Sequence, residues 1–130
     1  MKILVAFEGS SAAKAALEVA VKHAQAFSAE LLLVWSMSKG DEDEQEEIQT
    51  AEKSLAYWKD HLEQRSIACQ THLLIRGVDA GEDIVRFAAD NDVEEIVMGV
   101  RRRSKVGKLI FGSTAQYIIL NAPCPVVTVR

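Results

Sequence analysis

The sequence predicts an α/β protein: a single-domain, doubly wound open sheet of five mainly parallel strands, order 3-2-1-4-5, with helices on both faces. Three observations predict it. Short unbroken apolar runs alternate with longer segments whose apolar residues recur every three or four positions. The runs lack polar alternation, which is the pattern of strands covered on both faces. The segments follow one another as β-α-β-α-β-α-β-α-β over 130 residues, a length that suits one domain, residues 1-130, around one core. Right-handed crossovers then wind such a sheet outward in two directions from its centre.

Each element has its own signal. "KILVAF" (Lys2 to Phe7) is the first strand. Ser10 or Ser11 can cap the helix that follows to Phe27, with Ala13, Ala16, Leu17, Ala20, Ala24 and Phe27 expected on its inward face. "AELLLVWSM" (Ala29 to Met37) is a second apolar strand. From about Asp43 to Gln64, Ile48, Ala51, Leu55, Trp58 and Leu62 form a helical stripe, with Trp58 as a packing residue. Ile67 to Gly77 gives a third strand closed by a turn glycine. Asp79 with Glu82 three residues on is a capping pattern for a helix from Ala80 to about Asp90, with Ile84, Phe87 and Ala88 inward. Val93 to Val100 is the fourth strand, Gly112 to Ala122 the last helix, and "CPVVTV" (Cys124 to Val129) a fifth strand entered through two prolines.

Composition narrows the function classes. Fifteen basic against nineteen acidic residues leave a net charge of −4, which argues against nonspecific nucleic-acid binding by the whole molecule. The distribution is uneven: "DEDEQEE" (41 to 47) holds six acids and "RRRSKVGK" (101 to 108) five bases. The acidic run stands at a helix entry, where negative charge complements the dipole. The basic run is a local cationic loop. No apolar stretch approaches the roughly eighteen residues of a membrane span, and the strand pattern starts at Lys2, directly after Met1, so a cytoplasmic protein is expected. Cys69 and Cys124 form no metal or redox motif and are expected to be buried, inert thiols; His23, His61 and His72 are scattered without metal-ligand spacing.

In a doubly wound sheet the ligand crevice lies outside the carboxyl ends of the strands where the winding reverses. Phe7 to Ser10, Trp35 to Met37 and the loop after Gly99 should meet there. Gly112-Ser113-Thr114 opens a helix, whose free amides and partial positive charge favour phosphate. Gly99 lets a backbone approach a ligand without a Cβ in the way, and Arg101, Arg102, Arg103, Lys105 and Lys108 offer countercharge. Each feature also has a plain structural explanation: Gly99 can simply end a strand, Gly112-Ser113 can simply cap a helix, and loop arginines can be solvated. Neither the Walker A pattern nor G-x-G-x-x-G is present.

The segments "ILVAFEGSSAAKAAL" and "VMGVRRRSKVGKLIFGSTAQYIILNAPCPVVTV" resemble the opening and closing thirds of the universal stress protein family, and the resemblance runs over essentially the whole chain. The nucleotide-binding branch of that family carries G-x2-G-x9-G-[ST] in this loop. Gly99, Gly112 and Ser113 fall in register, while Arg102 stands where the second glycine belongs. The resemblance implies that Glu8 takes the place of a family aspartate facing the ribose and base. It also implies that Ser36 or Met37 offers backbone groups to the adenine edge and that Met98 lies under the base. Gly99 would sit by the ribose or phosphates, and Gly112, Ser113 and Thr114 at the phosphate end. Arg101 and Arg102 would wall the phosphate site, with Arg102 able to clamp a phosphate through its guanidinium.

Two functions compete. One is a regulatory stress-response protein that binds ATP or another adenine nucleotide with Mg²⁺ or Mn²⁺; it is not an enzyme beyond slow hydrolysis, since the site region lacks a general base or nucleophile pair. The other is a dimeric scaffold with a degenerate site and an unknown protein partner. The resemblance implies a homodimer through the edge strand Val126 to Val129, whose apolar "PVVTV" would be a hazard unpaired. Nucleic-acid binding through "RRRSK" ranks lower, because the loop lacks interleaved aromatics and a broad positive face. A redox or flavin role would rest on fold analogy alone.

Overall fold

The computed structural model describes residues 1–37, 45–100 and 112–130. Its elements are β1 (Lys2–Ala6), α1 (Ser11–Phe27), β2 (Glu30–Met37), α2 (Gln45–Gln64), β3 (Cys69–Ile75), α3 (Ala80–Asp90), β4 (Glu95–Gly99), α4 (Ser113–Asn121) and β5 (Val126–Val129). The strands form one sheet in the order β3-β2-β1-β4-β5, as expected, and every neighbouring pair is parallel.

The period of two along each strand sends side chains to opposite faces. Ile3, Val5, Leu31, Leu33 and Val97 pack with α1 and α2 residues such as Leu17, Ala20 and Leu55. Leu4, Leu32, Val34, Ile96 and Met98 pack on the other face with Ile84, Phe87 and Ala88 of α3 and Ile118 of α4. Both faces of β1 are therefore dry: Ile3, Leu4 and Val5 have no exposed surface. Trp58 packs as expected, its ring edge-on to Phe7 at 6.1 Å.

Helix and strand ends differ from the sequence expectation in a consistent way. Phe27, expected inward, is 57% exposed, and Val21 is buried instead, because the stripe of α1 drifts and its last residue runs past the sheet. The chain then turns through Ser28 in the left-handed region, and Ala29 N donates to Ala24 O across 3.0 Å. Ser66 and Asp92 repeat this after α2 and α3, with Ile67 N bonded to Leu62 O and Val93 N to Ala88 O, both at 3.0 Å. These are Schellman closures in which the apolar residue after the turn is buried. They explain why β3 and β4 begin two residues later than their apolar runs: Ile67 and Val93 belong to the helix closures. At the other end of α3, Asp79 is the N-cap residue but makes no side-chain capping bond, so the expected capping arrangement with Glu82 does not form. Glu46 and Glu47 do stand in the first turn of α2, as the dipole favours.

Cys69 and Cys124 are free thiols, the first buried and the second half-buried. Burial pushes the Cys69 thiol up to about 11, against 9.0 for an exposed thiol. At pH 9.0, where an exposed thiol is half ionised, Cys69 stays protonated and unreactive while the fold is intact. Alkylation by iodoacetamide, followed by peptide mass mapping, should label Cys69 more slowly than Cys124 in the native chain and equally in urea. Equal native rates would mean that β3 opens readily.

Candidate nucleotide site at the switch point

Winding reverses between β1 and β4, and a cavity of about 490 Å³ opens there at the carboxyl ends of β1, β2 and β4. Its size suits a small ligand. Glu8, Ser36, Met98 and Gly99 line it from the sheet side, and Gly112, Ser113 and Thr114 from the start of α4. The seven expected site residues that fall among the described residues thus share one cavity. Arg101 and Arg102 lie outside the described residues. Val34, Ile84, Met98 and Ile118 give the cavity apolar walls. A wider crevice of about 1200 Å³ adjoins it, sharing Glu8, Ser36, Ser113 and Thr114 and edged by Glu46, Glu47 and Glu82.

Three helices present their amino ends here, and they differ in what satisfies them. Ser10 caps α1, its hydroxyl accepting from Ala13 N at 3.1 Å. Glu8 folds back on this cap: its Oε1 accepts from Ser10 N at 3.1 Å and also from the Ser10 hydroxyl. Helix α3 carries Glu82 and Asp83 in its first turn. Helix α4 has neither provision: its N-cap is Gly112, with no side-chain capping bond and no acid in the first turn. The first intrahelical bond is Gln116 N to Gly112 O, so the amides of Ser113, Thr114 and Ala115 have no acceptor within the helix. Among the described residues, α4 is the one of the three ends with neither a capping side chain nor a first-turn acid, which suits an anion.

Gly99 has a structural reason that the sequence did not reveal. A Cβ at Gly99 would lie 2.7 Å from the Ala12 Cβ and closer still to the Ala12 carbonyl group. The glycine lets the first turn of α1 sit directly on the end of β4, which is a packing requirement whether or not a ligand is bound.

Sequence reasoning missed Asp83 and Arg76. Asp83 is fully buried, yet Arg76 holds its Oδ1 through Nε at 2.6 Å and Nη2 at 2.5 Å, and the Ser36 hydroxyl donates to its Oδ2 at 3.2 Å. The available signal was position: Asp83 stands four residues before Phe87, on the inward stripe of an amphipathic helix. His23 likewise meets Glu95 at 2.9 Å across 72 residues, at the far end of the sheet from the cavity. Among the described residues no group of three His, Cys, Asp or Glu converges to hold a metal.

The close approach at Gly99 predicts that Gly99→Ala destabilises the ligand-free chain by about 2 kcal/mol, since backbone rather than a flexible side chain must yield. Urea denaturation of both forms, each free of ligand, measures this. An unchanged midpoint would mean that α1 shifts at little cost.

A model described as the universal stress protein family matches residues 1–130. A universal stress protein of Thermus aquaticus is 34% identical over 137 residues, covering 98% of this chain and 97% of that protein. The solved universal stress protein of Archaeoglobus fulgidus superposes with a TM-score of 0.86 at 32% identity, covering 99% of this chain and 97% of that one. A universal stress protein structure from the same organism in complex with dAMP has a TM-score of 0.81 at 28% identity, covering 99% and 96%. With fold, length and sequence in agreement, this chain belongs to the universal stress protein family.

Proposed function

We propose that this chain is a regulatory, stress-responsive binder of ATP or a related adenine nucleotide. The observation that carries the proposal is the uncapped start of α4, which shares one cavity with apolar walls suited to a base. The phosphates take the amides and hydroxyls of Ser113 and Thr114, the base lies toward Met98 and Ser36, and Glu8 reaches the ribose after leaving the α1 cap. Arg101 and Arg102 supply countercharge. Support comes from the dAMP complex of the Archaeoglobus fulgidus relative. Mg²⁺ or Mn²⁺ enters with the phosphates. The protein acts by binding, with hydrolysis slow at most, as a cytoplasmic regulator.

Nucleotide should be released when freshly purified protein is denatured, or bound when the emptied protein is titrated with ATP and Mg²⁺. Ser113→Glu places a carboxylate in the first turn of α4. It should weaken ATP binding by roughly tenfold or more while leaving urea stability unchanged or higher, because the same charge that repels phosphate suits the helix end. Arg102→Ala should also weaken binding. A protein that is empty and ignores ATP would sink the proposal, and rapid multiple-turnover hydrolysis lost on changing Glu8 or Ser113 would overturn its non-catalytic part.

The second part of the proposal is a homodimer through β5. Pro125 and Val129 turn their carbonyls toward β4, accepting from Ile96 N at 3.0 Å and Val100 N at 2.7 Å. By the period of two, Val126 and Thr128 direct their backbone groups outward along an open edge. The preceding helix exposes Ile119 and, at 80%, Leu120. Sedimentation at micromolar concentration should show a dimer, and Thr128→Pro, which removes an outward N–H, should yield a monomer. A monomeric parent protein would count against this part.

A further inference from the structure

We infer that the Ser36 hydroxyl is a specificity element of the cavity, fixed by Asp83 and Arg76 as a hydrogen-bond acceptor, so that the ligand edge meeting it must donate. In a purine this selects a 6-amino group over a 6-oxo group. The inference rests on the nucleotide proposal above and adds to it the residue that reads the base.

Ser36 follows Val34 by two on β2, so its side chain stands on the α3 and α4 face of the sheet, where the cavity lies. The Ser36 oxygen is 3.2 Å from Asp83 Oδ2. Asp83 is fully buried and its other oxygen is taken by Arg76 at 2.5 and 2.6 Å. A carboxylate paired with a guanidinium only accepts, so the shared proton belongs to Ser36. That commits the single hydroxyl donor inward. Among the described residues nothing donates to the Ser36 oxygen, and its lone pairs remain for a ligand. An amino group satisfies them. A carbonyl sets acceptor against acceptor and leaves both unpaired in a confined space.

Arg76 and Asp83 are positioning residues in this scheme. Their plain structural role, tying the chain after β3 to the first turn of α3, would change stability without changing which base is preferred. Asp83→Asn separates the two roles. With Oδ1 still held by Arg76, the amide Nδ2 takes the place of Oδ2 and donates to Ser36, whose proton then turns toward the ligand.

The experiment is calorimetric titration of the full chain with ATP and with ITP, both with Mg²⁺, for the parent protein, Ser36→Ala and Asp83→Asn. The parent should favour ATP by about tenfold, the worth of one well-placed hydrogen bond and its lost counterpart. Ser36→Ala should lower the ratio several-fold, and Asp83→Asn should reduce or invert it. A parent that binds ATP and ITP equally, or a Ser36→Ala variant that keeps the parent ratio, overturns the inference alone. A parent that binds neither overturns the nucleotide proposal and this inference with it. Should Asp83→Asn fail to fold, the ratio in Ser36→Ala decides.

Discussion

The central position of β1 is the constraint on which the rest of the structure depends. It pairs in parallel with β2 on one side and β4 on the other, so each neighbour must be reached by a crossover, and because the winding reverses at β1, right-handed crossovers place α1 and α2 on one face and α3 and α4 on the other. Burial of Ile3, Leu4 and Val5 to zero exposure follows, because helices cover both faces of that strand. So does the crevice. The chain leaves β1 toward α1 on one face and leaves β4 toward α4 on the other, and the two departures diverge. The cavity at Glu8, Met98 and Ser113 is therefore a product of topology before it is a product of any particular side chain.

That dependence explains how much was legible in the sequence. Element order and the meeting of the carboxyl ends of β1, β2 and β4 follow from unbroken apolar runs and the winding rule, which are long-range patterns that survive local errors, whereas Glu8, Ser36 and Met98 stand out individually only through the resemblance to the family. Helix ends were less legible. Ser28, Ser66 and Asp92 close three helices in the left-handed region without a glycine to announce it. Ile67 and Val93, apolar and adjacent to strands, serve those closures. Pairings across the fold were the least legible. An acid in the first turn of a helix, such as Asp83, is sufficiently explained by the helix dipole, and nothing local says that Arg76 and Ser36 will converge on it.

Some residues of the cavity report on function and others only accompany it. Gly99 belongs to the nucleotide-loop pattern, but the contact its absent Cβ would make with Ala12 requires glycine even in an empty protein. Its presence therefore says little about a ligand. The start of α4 is different. Packing does not require a helix to begin at glycine without a capping side chain when α1, at the same rim, has both Ser10 and Glu8. A glycine cap costs only about a few tenths of a kcal/mol relative to a serine or aspartate cap. With so small a cost the helix end stays formed while its first amides face the cavity without a capping side chain, which suits an anion.

Asp83 belongs with α4 rather than with Gly99. Removing a carboxylate wholly from water is costly, and the single guanidinium that compensates it is itself 44% exposed. An apolar residue would pack the inward stripe of α3 at lower cost, as Ile84 and Phe87 already do. What the carboxylate adds, and an apolar side chain cannot, is a fixed direction for the Ser36 proton at the rim of the cavity. The two features thus stand in or beside the same space: one offers amides that have no partner among the described residues to an anion, and the other an oriented oxygen to a donor. A ligand carrying both groups, a phosphate and an amino-bearing ring, answers them together.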